Sequence, residues 1–317
     1  MIISASRRTD IPAFFSEWFM RRIEEGFLLW RNPFNARQLK YISLRPKDVD
    51  VIVFWTKNPK PLMKHLTHLD QLGFRYYFQF TLNDYPRTIE PSVPSLEQRI
   101  SIFQELSNAI GPEKVIWRYD PIIISNVTPL EYHIDKFTYL SSSLRGFSKR
   151  VVISFVDMYG KVSIKFKRLE KEKGVFVEDI TKEQYHILLE KLCYALKITA
   201  ENHGFEIYTC SESIDLDYLG IVHGKCVDDT LINKIFGLNV PNKKDKNQRS
   251  ECLCVQSVDI GCYNTCKFFC SYCYANLSEK AVMSNLKKHK LSSPLLIGEP
   301  NGLIPVNSYE QLNLFKE

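Results

Sequence analysis

Short apolar segments and amphipathic segments alternate through the first two thirds of the chain. The apolar segments are rich in β-branched and aromatic residues, which is typical of strands buried on both faces of a parallel sheet. Six such strands are predicted: Met1–Ser6, Val49–Thr56, Tyr76–Leu82, Lys114–Pro121, Arg150–Val156 and Phe205–Cys210. A further β segment, interrupted by a turn, is predicted at Leu28–Leu44.

The segments between these strands have the apolar spacing of helices, and several end at glycine. Helices are predicted at Phe14–Gly26, Pro61–Leu72, Ser95–Ile110, Pro129–Leu144, Lys182–Gly204 and Asp217–Gly237. Regular alternation of strand and helix predicts parallel strands joined by right-handed crossovers. The predicted fold is therefore α/β, a TIM-like, partial six-stranded parallel βα barrel over residues 1–240. A C-terminal cysteine-rich extension follows over residues 241–317.

Polar residues recur where the predicted strands end. The carboxyl ends of barrel strands are the face on which active sites are built, although about half of such residues merely cap helices. The polar residues at these strand ends are Arg8, Asp10, Lys57, Asn58, Asn83, Arg118, Asp120, Asp157 and Glu212.

Composition narrows the class of protein. The chain of 317 residues is 44% hydrophobic and can bury a large core, and no apolar run reaches the length of a membrane span. The net charge of +6 is spread over the chain; basic clusters such as Lys243–Lys246 and Lys287–Lys290 permit a nucleic-acid partner without requiring one. The nine cysteines are an odd number, and Met1–Arg8 lacks the order of a secretory signal, so we expect reduced thiols and a cytoplasmic location.

Three cysteines near the C-terminus, Cys266, Cys270 and Cys273, have the spacing C-x3-C-x2-C. A closed zinc or iron–sulfur site needs four protein ligands, whereas three thiolates on a cubane cluster leave one iron open. Two alternatives remain open: Cys262 completes a structural zinc site, or the cysteines form disulfides. With Tyr272 before the last cysteine, the loop resembles the cluster loop of radical S-adenosylmethionine (SAM) enzymes. That resemblance implies a 4Fe–4S cluster, SAM bound at the open iron, and cleavage of SAM to a 5′-deoxyadenosyl radical.

Four other cysteines form a second candidate group: Cys210, Cys226, Cys252 and Cys254. Four thiols are the number that a closed iron–sulfur cluster or a zinc site prefers, although their spacing is irregular. The alternative is that they are buried and unreactive. The remaining cysteine, Cys193, is predicted to be a core residue of a helix.

Four stretches together resemble the Domain of Unknown Function 1848 family: Ile2–Pro12, Val53–Pro59, Trp117–Pro121 and Asp259–Ala275. This family carries a C-terminal cysteine cluster similar to the radical SAM loop. The resemblance covers nearly the whole chain and implies an iron–sulfur enzyme supplied with electrons by a flavodoxin or ferredoxin. Its cysteine loop lies near the C-terminus, whereas radical SAM enzymes usually carry it after the first strand.

The sequence therefore predicts a radical SAM-type enzyme with an unknown substrate. Arg118 and Asp120 are the candidate catalytic residues, and the candidate cofactor-binding residues are Lys57, Asn58, Glu212 and Tyr272. The alternative is a non-catalytic zinc or iron–sulfur module that binds nucleic acid.

Overall fold

The computed structural model of the chain describes residues 1–158 and 160–300. These residues form twelve strands: β1 (Ile2–Ala5), β2 (Phe27–Asn32), β3 (Asn35–Ser43), β4 (Val51–Thr56), β5 (Tyr76–Thr81), β6 (Val115–Ile122), β7 (Ile124–Ser125), β8 (Arg150–Phe155), β9 (Val177–Glu178), β10 (Glu206–Cys210), β11 (Val222–Gly224) and β12 (Val258–Asp259). They also form ten α-helices: α1 (Ile11–Phe14), α2 (Ser16–Glu25), α3 (Lys60–Met63), α4 (Leu66–Gln71), α5 (Leu96–Ile110), α6 (Leu130–Leu144), α7 (Gly160–Lys173), α8 (His186–Asn202), α9 (Asp229–Phe236) and α10 (Glu279–Leu286).

Eight of the strands form one parallel sheet in the order β11-β10-β8-β6-β5-β4-β1-β12. From β1 to β11 this order follows the chain, so each strand is laid beside the one before it. Right-handed crossovers in one direction place their helices on the same face of the sheet. The six strands predicted from the apolar pattern are confirmed as β1, β4, β5, β6, β8 and β10.

The two faces of the sheet are covered by different parts of the chain, because neighbouring side chains of a strand point to opposite faces. On one face, Ile3, Phe78 and Trp117 belong to the main core, to which α2, α5, α6 and α8 contribute. The Trp117 ring stacks on Phe137 of α6 with 4.9 Å between centroids. The opposite face packs against α9 and the segment around Val255. The sheet is thus buried on both sides, as the apolar runs predicted.

The six-stranded TIM-like barrel predicted from the sequence needs correction. The sheet has eight strands and is open, since β11 and β12 lie at opposite edges and are not paired with each other in the described part of the chain. Both edge strands have only two or three residues, too short for a periodic pattern to show. The β segment at Leu28–Leu44 forms a separate antiparallel hairpin of β2 and β3.

Several predicted helices are shorter than the sequence pattern suggested. Residues 61–72 contain parts of two short helices, α3 and α4, and residues 217–237 contain the strand β11 before α9. In contrast, α5 begins after Ser95, whose side chain and that of Gln98 form a capping box, and it ends before Gly111 as predicted. None of the helices in residues 1–158 and 160–300 is both long and apolar enough to cross a lipid bilayer.

Candidate functional site

A cavity of about 460 Å³ lies where the sheet strands end. Its wall includes residues that end or directly follow β1, β4, β8 and β10, such as Ser6, Lys57 and Cys210, together with Arg118 from within β6. Seven of the nine cysteines also line it: Cys210, Cys226, Cys252, Cys254, Cys266, Cys270 and Cys273. Both cysteine groups identified in the sequence therefore face a single cavity at the carboxyl edge of the sheet.

The loop from Cys266 to Cys273 covers this cavity by packing on segments that follow β1 and β5. Phe268 lies against Phe14 of α1, with 4.6 Å between ring centroids, and it is buried together with Val93 and Cys270. The backbone N–H of Ser271 donates to the carbonyl of Ile89 at 2.9 Å. These contacts fix the loop above the strand ends, although it lies near the other end of the chain from β1.

A buried ion network lies beneath the loop. Lys57 Nζ is 2.7 Å from Glu90 Oε1, and Arg99 Nη1 is 3.9 Å from Glu90 Oε2. The Tyr272 hydroxyl also donates to Glu90, whose side chain is only 1% exposed. Burial alone would raise the pKa of Glu90, but the charges of Lys57 and Arg99 outweigh it and hold the pKa below its ordinary value. Glu90 is therefore ionised and fixes both Lys57 and Tyr272.

Arg118 and Asp120 form an ion pair within β6. Arg118 Nε donates to Asp120 Oδ2 at 2.9 Å, and its Nη1 donates to Cys226 Sγ at 2.7 Å. Burial would lower the pKa of Arg118, yet the charge of Asp120 and the neighbouring thiols of Cys226 and Cys210 raise it well above its ordinary value. Burial likewise opposes ionisation of Asp120, but Arg118 and the Ser154 hydroxyl lower its pKa. Both groups are thus charged, and they present a fixed dipole to the cavity.

The four residues predicted to bind a cofactor occupy different positions. Lys57 and Tyr272 line the cavity. Asn58 and Glu212 are outside its lining. Asn58 Oδ1 accepts from the backbone N–H of Lys60 at 3.2 Å, a turn-forming contact, and Glu212 accepts from the backbone N–H of Phe155 at 2.8 Å. Burial raises the pKa of Glu212 to about 8. The structure thus brings Lys57 and Tyr272 together with Arg118 and Asp120, and it leaves Asn58 and Glu212 behind the wall.

Cys210, Cys226, Cys252 and Cys254 also line the cavity. Cys210 ends β10, Cys226 follows β11, and the other two lie in the segment before β12. The Sγ atoms of Cys210 and Cys226 are 2.9 Å apart. Cys254 Sγ accepts from the backbone N–H groups of Cys226 and Val227 at 3.3 and 3.4 Å. Thiol hydrogen bonds from Cys226 and Cys252 lower the pKa of Cys254. As their side chains lie, no three His, Cys, Asp or Glu residues of the described ranges are spaced to hold one metal ion.

The segment that leads into the cysteine loop is fastened to β1 by Asp259. Strand β12 pairs with β1, where Ser4 lies opposite Asp259. The carboxylate of Asp259 accepts from Ser6 Oγ at 2.8 Å, from the backbone N–H of Arg7 at 2.8 Å and from that of Gly261 at 3.0 Å. This short strand and one carboxylate thus carry the extension across the end of the sheet to the cavity.

Replacing Gly261 with alanine is expected to disturb this attachment. A Cβ at this position would lie 1.8 Å from Ser6 Oγ and 2.6 Å from Ser6 Cβ, so the backbone must shift. Overpacking of this kind costs about 1–3 kcal/mol in the free energy of unfolding. Chemical denaturation measures that loss, and limited proteolysis reports release of residues 241–300. Gly160→Ala is the control, because a Cβ there meets nothing within 4 Å; equal stability of the two variants would contradict the prediction.

Sequence comparison adds one relationship to this geometry. Searches of curated proteins and of solved structures each return no match. A family model described as a domain of unknown function (DUF1848) matches residues 2–275, which include all of the parallel sheet and both cysteine groups. The chain therefore belongs to the DUF1848 family.

Proposed function

We propose that this protein is a radical SAM-like iron–sulfur enzyme. In this proposal Cys266, Cys270 and Cys273 hold a 4Fe–4S cluster and leave one iron open for SAM. The observation that carries it is that these three thiols face the cavity and Cys262 does not. When bound, such a cluster supplies an electron that cleaves SAM to a 5′-deoxyadenosyl radical, with flavodoxin or ferredoxin as the donor.

The position of Cys262 favours three ligands over four. Its Sγ lies 3.5 Å from the carbonyl oxygen of Tyr263, and the side chain packs against the main core. The loop therefore offers three thiols to the cavity, the number that leaves a coordination position open.

The cavity also supplies what a reactive intermediate requires of the protein. A radical exposed to water is lost to side reactions, so the reacting groups must lie in a sheltered pocket. The loop covers the strand ends, and the buried network of Glu90, Lys57 and Tyr272 holds it there. We propose that Arg118 and Asp120, ionised and fixed in the opposite wall, contact SAM or the substrate.

The lining supports an enzyme of this class without a closed barrel. The parallel sheet brings its carboxyl ends to one edge, as a barrel does, and the extension reaches that edge through β12. The position of the loop at the strand ends supports the proposal, although the loop follows nearly all of the sheet in the chain. The substrate is a molecule that shares this cavity with SAM.

Anaerobic reconstitution with iron and sulfide tests the proposal. We expect a brown protein with a broad charge-transfer absorption, and formation of 5′-deoxyadenosine when dithionite and SAM are added. A colourless protein that holds only zinc, and leaves SAM intact, would instead support a non-catalytic module. A nucleic-acid binding assay at several salt concentrations would then be the appropriate next measurement, because phosphate contacts make affinity depend on salt.

A further inference from the structure

We propose that Cys210, Cys226, Cys252 and Cys254 form a second metal site, a closed four-thiolate site that holds a single zinc ion. The site is distinct from the three-cysteine loop and does not depend on the function proposed above. Its ligands come from three places in the fold. Cys210 ends β10, Cys226 is the second residue after β11, and Cys252 and Cys254 lie in the segment before β12. Four thiolates are the full ligand set of a structural zinc site.

As the side chains lie the sulfurs do not yet coordinate an ion, but the one distance between two of them is nearer to that around a single ion than to that around a cluster. A tetrahedral ion with bonds of about 2.3 Å holds its sulfurs roughly 3.8 Å apart. Cys210 and Cys226 have 2.9 Å between their Sγ atoms, and Cys254 Sγ lies 3.3 Å from the backbone nitrogen of Cys226. An opening of about 1 Å between Cys210 and Cys226 would admit the ion. A cubane cluster, with its irons at separate corners, would need the same thiols to spread much farther.

The groups around the sulfurs are donors, which is the environment that thiolates require. Two backbone N–H groups point at Cys254, and Arg118 Nη1 donates to Cys226. Arg7 and Arg118 both contact the indole of Trp55, with their guanidinium carbons 5.1 and 5.2 Å from its ring centroid. Donors of this kind orient ligands and stabilise their charge.

Arg7 provides the independent sign that an anionic group belongs here. Its Nη2 is buried and has no hydrogen-bond partner among the described residues. Its Nη1 lies 3.9 Å from Asp245 Oδ2, and Arg7 lines the same cavity as Cys252 and Cys254. A divalent ion with four thiolates carries a net charge of −2, and a buried cation beside it offsets part of that charge. Thiolates around a zinc ion would give this unpartnered guanidinium nitrogen an anionic neighbour, whereas neutral thiols would not.

The site would act as a structural clamp. The backbone N–H of Val255 donates to the carbonyl of Val227 at 3.0 Å, which already places residues 252–255 beside β11. A zinc ion would lock this segment to β10 and β11 at one edge of the sheet, just before β12 binds β1 at the other edge. The ion would thereby fix the wall of the cavity that carries Arg7 and Arg118.

A disulfide is the competing use of these thiols. The Cys210–Cys226 separation of 2.9 Å exceeds the length of about 2.05 Å of a disulfide bond. A single bridge between these two would also leave Cys252 and Cys254 unused, although both are buried and line the same cavity. Mass spectrometry of alkylated protein distinguishes the two states directly.

The test is metal analysis of the full-length protein purified without added iron or sulfide. We expect one zinc per chain in the wild type. The same content is expected in the Cys266→Ser/Cys270→Ser/Cys273→Ser triple variant and in Cys262→Ser. We expect at least a tenfold loss of bound zinc in Cys252→Ser and in Cys254→Ser. Retention of zinc by the triple variant separates this site from the proposed SAM-binding loop, whatever the outcome of the SAM cleavage assay.

X-ray absorption at the zinc edge of the wild-type protein provides a measurement that needs no variant. Four sulfur neighbours at about 2.3 Å are expected. Three results would overturn the proposal: a wild type without zinc, zinc that survives both Cys252→Ser and Cys254→Ser, or a Cys210–Cys226 disulfide in protein purified under reducing conditions. The proposal would also be overturned if the triple variant bound iron and sulfide through these four residues, because the site would then hold a cluster and not a zinc ion.

Discussion

Replacing Cys270 with alanine is expected to abolish formation of 5′-deoxyadenosine from SAM by the reconstituted protein. Cys270 is buried beside Phe268 in the loop that covers the cavity. Two thiolates cannot hold a cubane in place of three, so we expect the charge-transfer absorption and most of the bound iron to be lost. The measurements are iron content, visible absorption and chromatographic detection of 5′-deoxyadenosine under dithionite.

Cys262→Ala is the matched control for that variant. It removes a thiol from the same segment, but one that packs on the main core and does not line the cavity. We expect it to keep the cluster and to cleave SAM at the wild-type rate. Equal activity of Cys270→Ala and wild type, or equal loss in both variants, would be incompatible with a three-cysteine ligand set.

The second large effect is expected on stability, from replacing Glu90 with glutamine. Glu90 is the buried anion between Lys57 and Arg99. Its removal leaves two buried cations without a countercharge, and breaking a buried pair in this way costs about 3–5 kcal/mol. The free energy of unfolding from chemical denaturation measures the loss. Glu131→Gln, on an exposed position of α6, is the control and is expected to behave as the wild type does.

The same carboxylate gives the wild type a pH dependence with a definite sign. Because the pKa of Glu90 is lower in the folded protein than its ordinary value of 4.5, its contribution is complete above that value. It is lost as the pH falls through the folded pKa. We expect acid to destabilise the wild type more steeply than Glu90→Gln below pH 4.5. Parallel stability curves for the two proteins would show that Glu90 is not ionised in the fold.

The central strands were predictable because their burial on both faces leaves a continuous apolar signal, as in Val51–Thr56 of β4. The same pattern predicted polar residues near the strand ends, such as Lys57, which follows β4, and Arg118, which the structure places within β6. The edge strands β11 and β12 could not be predicted this way. They are strands because they pair with a neighbouring strand, and their own sequences are too short to show a pattern. Without β11 and β12, the remaining parallel strands follow one another in chain order, and that order was interpreted as a barrel.

Glu90 is a residue of the site that the sequence could not predict. It lies in a segment with Pro86, Pro91 and Pro94, which reads as an exposed loop, and a lone glutamate there carries no sign of burial. Only the tertiary contact with Lys57 and Tyr272 gives it a role. In the same way, the spacing of Cys210, Cys226, Cys252 and Cys254 could suggest a site but could not show that β10, β11 and the extension meet.

The fastening of β1 by Asp259 has a consequence for the order in which the molecule is made. Ser4 and Asp259, whose side chains are joined at 3.1 Å, are 255 positions apart in the chain. During synthesis, domains begin to fold from the N-terminal side as the chain emerges, so β1 waits with an unpaired edge while its other neighbour, β4, is already present. The cavity can be completed only when the cysteine loop has left the ribosome. If the cavity binds iron and zinc as proposed, metal delivered earlier would meet thiols from one side of the cavity alone, and loading would follow translation of nearly the whole chain.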